Sequence, residues 1–450
     1  MTQLVEAMAA LLELADIQGT VLRNRPMPYF GSYLMFTIHD ASDARMLLER
    51  LVPHVTSAAD WDDPPENAWI NVVFTHSGLA KLVADSAVLD AFPPEFRQGM
   101  AARAGYLGDV GQSSPENWDL PHGGNGFDIG LLVMAGSLVL KEAKLALGQS
   151  ALQGIAGVQL IKQLDVGVPP TLREHFGFTD GISRPFIEGQ GGAPFPGQDI
   201  VKPGEFVLGY ENELGITAAL EAPKALWRNG TFIAIRKIWQ DVSNFRGFLR
   251  ANGSGMDGGE EFLAAKMMGR WRSGAPLALT PDRDDLELAK DPQRNNDFKY
   301  HAADPDGKRT PVGSHIRRVN PRDALKESLT DIRLHRVLRR GFSYGPSLPA
   351  GATTDDGIDR GIVLALINAN PGRQFEFVQA QWINDGDFVS QGARTDPIVG
   401  RRDKADDYQF PARPVRKRVA GLPEFTAVRG GEHVFLPSLT GLRWLANQPS

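Results

Sequence analysis

Cysteine is absent from the 450 residues. That absence excludes disulfides, thiolate nucleophiles, cysteine-ligated zinc, iron–sulfur clusters and CxxCH attachment of a porphyrin. No run of 18 apolar residues occurs, so no segment reads as a membrane span. A global basic field is missing too: 48 Lys and Arg stand against 54 Asp and Glu, a net charge of −6, and nothing points to nucleic acid. The nine histidines form no HxH or HExxH spacing, which argues against a structural or hydrolytic zinc site. GxSxG and P-loop patterns are missing as well, which argues against serine hydrolases and P-loop nucleotide enzymes. The N-terminal stretch MTQLVEAMAALLELADIQG carries Glu6, Glu13 and Asp16 and no basic residue. It reads as an amphipathic helix rather than a secretion signal, and the expected address is the cytoplasm.

What is present is an ordinary globular composition, 42% hydrophobic and 23% charged. At about 150 residues per domain the length allows one to three domains, and two fit best. The 48 glycines and 31 prolines exceed the usual share of about 12% and predict long irregular loops.

Short β-rich runs alternate with helical periods. Ser32–Ile38, Trp69–Thr75, Ile129–Met134 and Gly157–Leu164 read as strands. Ala41–Leu51, with Ala44, Leu47, Leu48 and Leu51 on one face, and Leu138–Gln149 read as helices. This is the split βαβ order of a ferredoxin-like unit. The segment 187–204, IEGQGGAPFPGQDIVKPG, is the linker candidate. Beyond it, Thr231–Trp239, Ile362–Asn368 and Glu432–Leu436 read as strands, Val242–Leu249 and Gln374–Trp382 as helices, and Arg333–Arg340 as either. The predicted fold is α+β: two ferredoxin-like domains with antiparallel β-sheets, residues 1–200 and 201–450.

Two segments carry chemistry. In Glu174–Pro185, EHFGFTDGISRP, Asp180 sits between Gly177 and Gly181 in an apolar turn. It is either an Asx-turn carboxylate that orders its own loop or a partly desolvated carboxylate able to move protons. In Pro311–Arg322, PVGSHIRRVNPR, and Arg333–Gly345, RLHRVLRRGFSYG, His315 lies in a locally basic stretch. That stretch is either a solvated face or a site for an anionic ligand. A neutral imidazole with arginines nearby also suits haem, one ring nitrogen ligating iron while cations hold the propionates.

FGFTDGISRP resembles the GxxDG signature of the dye-decolourising peroxidase family. SHIRRVNPR resembles that family's proximal-histidine segment, and LRRGFSYGP the stretch carrying its distal arginine. Family-like stretches also occur at DIQGTVLR, EFRQGMAARAGYLGD, GEFVLGYENE and RQFEFVQAQW, so the resemblance spans nearly the whole chain and is closest to the larger, loop-extended bacterial type. It implies haem b (iron protoporphyrin IX) in the C-terminal half, facing the inter-domain region. His315 would be the iron ligand, Arg318 a candidate for the propionates together with Arg317 and Arg322, and Glu376 the carboxylate bonded to the other nitrogen of His315. Asp180 would carry a proton between the oxygens of hydrogen peroxide, and Arg339 would stabilise the developing negative charge. The implied donors are aromatic or dye-like molecules, oxidised from surface residues such as Trp239, Trp382, Trp444 or Tyr344. The alternative is a haem carrier, sensor or porphyrin-processing protein of deferrochelatase type. The chain departs from the pattern at Thr310-Pro311, where many relatives have Cys-Pro, at Gly341, where some carry Asn, and before QFEF, where the family's Asp is here Asn370 or absent.

Overall fold

In the computed structural model the described residues are 12–59, 67–325, 330–387, 391–403, 406–412 and 415–449. Most of the helix expected at the N-terminus lies outside them.

Runs of residues apolar on both faces build one eight-stranded sheet. Its strands are β1 (Phe30–Ile38), β2 (Ala68–Phe74), β3 (Ile129–Ala135) and β4 (Val158–Gly167) from the first half. Two short strands, β5 (Phe186–Ile187) and β6 (Ile200–Val201), pair in parallel inside the segment expected as a linker. The second half adds β7 (Thr231–Gln240), β8 (Leu338–Tyr344), β9 (Gly361–Asn368) and β12 (Thr426–Leu436), and β10 (Asp407–Phe410) pairs with β11 (Lys417–Ala420).

The order across the large sheet is β4-β1-β3-β2-β12-β7-β9-β8, antiparallel throughout. Each half repeats one ferredoxin-like order: fourth strand, first, third, second. Two ferredoxin-like strand sets are thus joined in one sheet. Phe435 of β12 pairs with Phe74 of β2 at one seam, and β4 packs against β8 at the other, curling the sheet toward a barrel.

Both faces of the strands other than β4, whose side chains are mostly exposed or half-exposed, are buried, which explains their near-continuous apolar runs. Tyr33, Met35, Val73, Ile233, Phe342, Val363 and Val434 point to one side and form a cluster drawing on all eight strands. Leu34, Phe36, Val72, Phe74, Phe232 and Phe435 point to the other, under the helices. There Phe92, Phe96, Phe232 and Phe435 stack with ring centroids 5.1–6.4 Å apart.

The helix Ala41–Leu51 buries the predicted Ala44, Leu47, Leu48 and Leu51, and the Asp40 carboxylate caps it by accepting the Asp43 N–H at 2.9 Å. Arg333–Arg340 resolves as a 3₁₀ turn, Ile332–His335, running into β8. The helix predicted at Gln374–Trp382 is wound as two π-helical stretches, Gly372–Glu376 and Val378–Ile383. The last strand begins six residues earlier than predicted. Gly430 and Gly431 are needed inside β12, because a Cβ there would lie 2.5 Å from Leu120 and 2.3 Å from Met100.

Candidate active site

The short helix His315–Val319 follows Ser314, and His315 opens it. The His315 Nδ1 lies 2.9 Å from Oδ2 of Asp396, whose side chain is fully buried. The other oxygen of Asp396 accepts the backbone N–H groups of Ile398 at 2.8 Å and Val399 at 3.1 Å. Burial alone would push this carboxyl up. The His315 charge and hydrogen bond, then Arg318 and the Ile398 N–H, outweigh burial and hold it below the usual carboxylate range. An ionised Asp396 accepts a hydrogen bond from Nδ1–H, which leaves the lone pair on Nε2. That Nε2 has no hydrogen-bond partner among the described residues, and His315 lines a cavity of about 290 Å³.

Asp180 and Arg339 line the same cavity. Asp180 follows Thr179, whose N–H and hydroxyl both donate to the Arg272 carbonyl, at 3.0 and 3.1 Å. Gly177 and Gly181 on either side hold φ of +95° and +83°, a backbone region that favours glycine. Of the two readings of Asp180, the Asx turn finds no support among the described residues. The carboxylate accepts Arg25 Nη1 at 3.2 Å, and its side chain stays 30% exposed. Arg339 projects from β8 and donates to the Ser183 carbonyl at 3.3 Å.

Much of the remaining wall is apolar, including Ile316, Val319, Leu364, Phe375 and Val378. Besides Arg339, Arg236, Arg270, Arg322, Arg336 and Arg401 also line it. Arg322 donates to the carbonyls of Asn296 at 2.9 Å and Phe298 at 2.8 Å. Arg336 has a buried Nε without a hydrogen bond, 3.5 Å from the Asp199 carboxylate, and burial pushes its guanidinium down to about 10. A free imidazole nitrogen, an orphaned guanidinium N–H and apolar walls are the donor set that a haem requires. The residues present fit that group.

The profile described as "DyP dimeric alpha+beta barrel domain" matches residues 16–159. Peroxidase 2 of Mycetinis scorodonius is 32% identical over 96% of this chain and 87% of its own length. The chain belongs to the dye-decolorizing peroxidase family. It is an α+β, haem-dependent peroxidase. Two solved structures agree along nearly their whole length. An ancestral D-type dye-decolorizing peroxidase superposes with a TM-score of 0.83 at 30% identity, covering 96% of this chain and 99% of that one. A dye-decolorizing peroxidase in complex with 2,6-dimethoxyphenol does so at 0.83 and 28%, covering 97% and 100%.

Within this dye-decolorizing peroxidase, two expectations are corrected by the geometry. Glu376 is not the partner of His315. Its carboxylate is fully buried between Arg103, at 2.5 and 2.6 Å, and His433 Nε2 at 3.0 Å. The π-helical winding turns Phe375, not Glu376, to the cavity. Arg318 does not face the cavity either. It is fully buried, and its guanidinium donates to the carbonyls of Gly313, Trp382, Asp385 and Arg394.

The residues missed from sequence are Asp396 and Arg336. Asp396 stands in TDPIV, which reads locally as a turn, and its pairing with His315 is purely tertiary. Arg336 was part of the basic stretch, but nothing local marks it as an arginine that lines the cavity with an unbonded Nε. Of the aromatic candidates for surface oxidation, Trp382 and Tyr344 are buried, while Trp239 and Trp444 are half-buried.

Proposed function

We propose that this peroxidase reduces hydrogen peroxide with haem b and takes single electrons from phenolic or dye-like aromatic donors. The observation that carries the reading is the convergence of His315, Asp180 and Arg339 on one cavity, with the far side of His315 tied to Asp396. His315 Nε2 would hold the iron, and Asp396 would keep that nitrogen free of a proton. Arg336 and Arg322 are positioned to meet propionates. Bound haem supplies the redox-active iron at which the O–O bond is reduced.

Asp180 accepts one proton of the peroxide and returns it to the departing oxygen. Arg339 places a fixed positive charge where negative charge develops as the bond breaks. One peroxide, two phenols and this proton transfer balance as two molecules of water and two phenoxyl radicals. In this reading residues 1–200 bring Asp180 and residues 201–450 bring the haem-holding groups. No described helix is long and apolar enough to cross a membrane. Activity in the cytoplasm is part of the proposal.

The test is haem titration of the purified chain and of His315→Ala, followed by stopped-flow mixing with hydrogen peroxide and turnover of 2,6-dimethoxyphenol. The wild type is expected to bind haem tightly, react with peroxide and oxidise the phenol. Asp180→Asn and Arg339→Leu should bind haem yet slow the peroxide step by about 100-fold or more. Wild-type haem absorption that ignores peroxide would overturn the reading in favour of a carrier or sensor.

A further inference from the structure

The carboxylate of Asp180 is held in place by two residues that do not line the cavity, Arg25 and Gly341. Arg25 precedes β1, and its Nη1 lies 3.2 Å from Asp180 Oδ2. The guanidinium is itself fixed: it lies over the Tyr29 ring, 4.6 Å from the centroid, and 5.8 Å from the centroid of Phe342. The Tyr29 hydroxyl accepts the backbone N–H of Ser343 at 2.8 Å, which ties this platform to β8.

Gly341 lies two residues before Ser343 on the same strand. Its backbone is ordinary extended strand, so conformation alone would admit any residue. Space would not. A Cβ at 341 would sit 2.5 Å from Asp180 Oδ2, with Ile362 at 3.1 Å and Leu364 at 3.4 Å closing the other sides. The same oxygen that Arg25 pulls toward β8 therefore occupies the volume that the missing side chain leaves.

We infer that Arg25 and Gly341 are a pair of positioning residues: one draws the Asp180 carboxylate against β8, and the other makes room for it there. The inference rests on the proposed role of Asp180 in the peroxide step. Five consecutive residues of β8, from Arg339 to Ser343, enter the device, since Arg340, between Arg339 and Gly341, donates to the carbonyls of Thr20 at 3.2 Å and Val21 at 3.0 Å and anchors the segment that leads to Arg25. The strand that presents Arg339 thus also sets where Asp180 stands relative to it. A Cβ at 341 would force Oδ2 back by about 0.9 Å to reach ordinary contact at 3.4 Å. Misplacement on that scale costs on the order of 10–100-fold when a group must meet a reacting atom.

The experiment compares Gly341→Ala, Arg25→Leu, Arg25→Lys, the Gly341→Ala/Arg25→Leu double variant and Asp180→Asn, each loaded with haem. Crystal structures of the haem-free and haem-loaded forms read the position of the Asp180 carboxylate, and stopped-flow reads the rate with hydrogen peroxide. Gly341→Ala and Arg25→Leu should each displace the carboxylate and slow peroxide by about tenfold or more. Haem content and the KM for 2,6-dimethoxyphenol should not move. Arg25→Lys should recover most of the rate, and the double variant should be no slower than its slower parent, because both changes act through one group. If Gly341→Ala does not fold, the Arg25 pair decides. An unmoved carboxylate with a rate within twofold of wild type in Arg25→Leu overturns the inference while Asp180→Asn remains slow. A fast Asp180→Asn would instead overturn the role of Asp180 itself, and the inference with it.

Discussion

Replacing Asp396 by asparagine preserves shape and removes charge, and its effect follows from the hydrogen bonds already described. One oxygen accepts two backbone N–H groups, at 2.8 and 3.1 Å, and the other faces His315 Nδ1 at 2.9 Å. The amide must keep its carbonyl on the two backbone donors, because an NH₂ group there would face N–H against N–H. The NH₂ group is then left facing His315. Nδ1 becomes an acceptor, the ring proton moves to Nε2, and the nitrogen facing the cavity can no longer serve as a ligand without losing that proton. Loss of such a supporting carboxylate costs about 10–100-fold in metal affinity, or about 1.4–2.7 kcal/mol. Titration of haem into haem-free Asp396→Asn at pH 7, followed by absorbance, should show that weakening and approach the result for His315→Ala. The ferric–ferrous midpoint should also rise, by about 59 mV for each tenfold by which the ferric form loses more affinity than the ferrous. A haem Kd within twofold of wild type, with an unchanged midpoint, would refute the tautomer argument.

Three other outcomes can be checked directly. Arg336→Leu removes a buried guanidinium with an unbonded Nε. It should weaken haem binding about tenfold or more while leaving the melting temperature of the haem-free protein unchanged or higher. Glu376→Gln should destabilise by about 3–5 kcal/mol in urea at pH 7, since it removes the fully buried carboxylate on which His433 and Arg103 converge. Burial raises the Glu376 carboxyl, but the His433 and Arg103 hydrogen bonds hold it below its ordinary value. Its contribution is therefore complete above about pH 4.3 and disappears as pH falls through the lower folded value. The gap between wild type and Glu376→Gln should narrow accordingly near pH 3. Phe435→Ala empties the centre of the aromatic cluster at the seam between the halves and should cost about 3–5 kcal/mol in the same assay.

The architecture was largely legible because burial on both faces writes most strands as apolar runs, from SYLMFTI to IVLALIN, while the half-exposed β4 shows only a mixed VQLIKQLDVG. The helix Ala41–Leu51 was legible from a single stripe. What local pattern could not convey was winding and long-range pairing. Gln374–Trp382 has a helical period, but π-helical turns rotate successive side chains differently from an α-helix, and Glu376 leaves the site for that reason. The basic stretch from His315 to Arg340 was visible as charge. Arg318 differs from Arg336 only in what surrounds it: four carbonyls converge on the first, and the Nε of the second is left unbonded. Asp396 reaches His315 across 81 residues, a distance at which no turn or period in the sequence reports a neighbour.

The order of the strands has a consequence for synthesis. β7 lies between β9 and β12, and β12 is the last strand to be made. At about 5–20 residues per second, the β12 side of β7 stays an open edge for roughly 10–40 s after the strand has left the ribosome. A segment reading TFIAIRKIWQ is then a template on which another nascent chain could add. Arg236 and Lys237 interrupt it at its centre. In the finished protein Arg236 is neutralised by Asp109 at 2.5 Å, and Lys237 by Asp119 and by Asp359 at 2.8 Å. Asp359 emerges only later. Asp109 and Asp119 precede β7 and can meet the two charges as soon as they are made. The share of the Lys237 charge that Asp359 balances stays open until Asp359 emerges and discourages a second copy from docking edge to edge. The same lysine that the folded barrel must bury and compensate thus protects the chain while it is still being built.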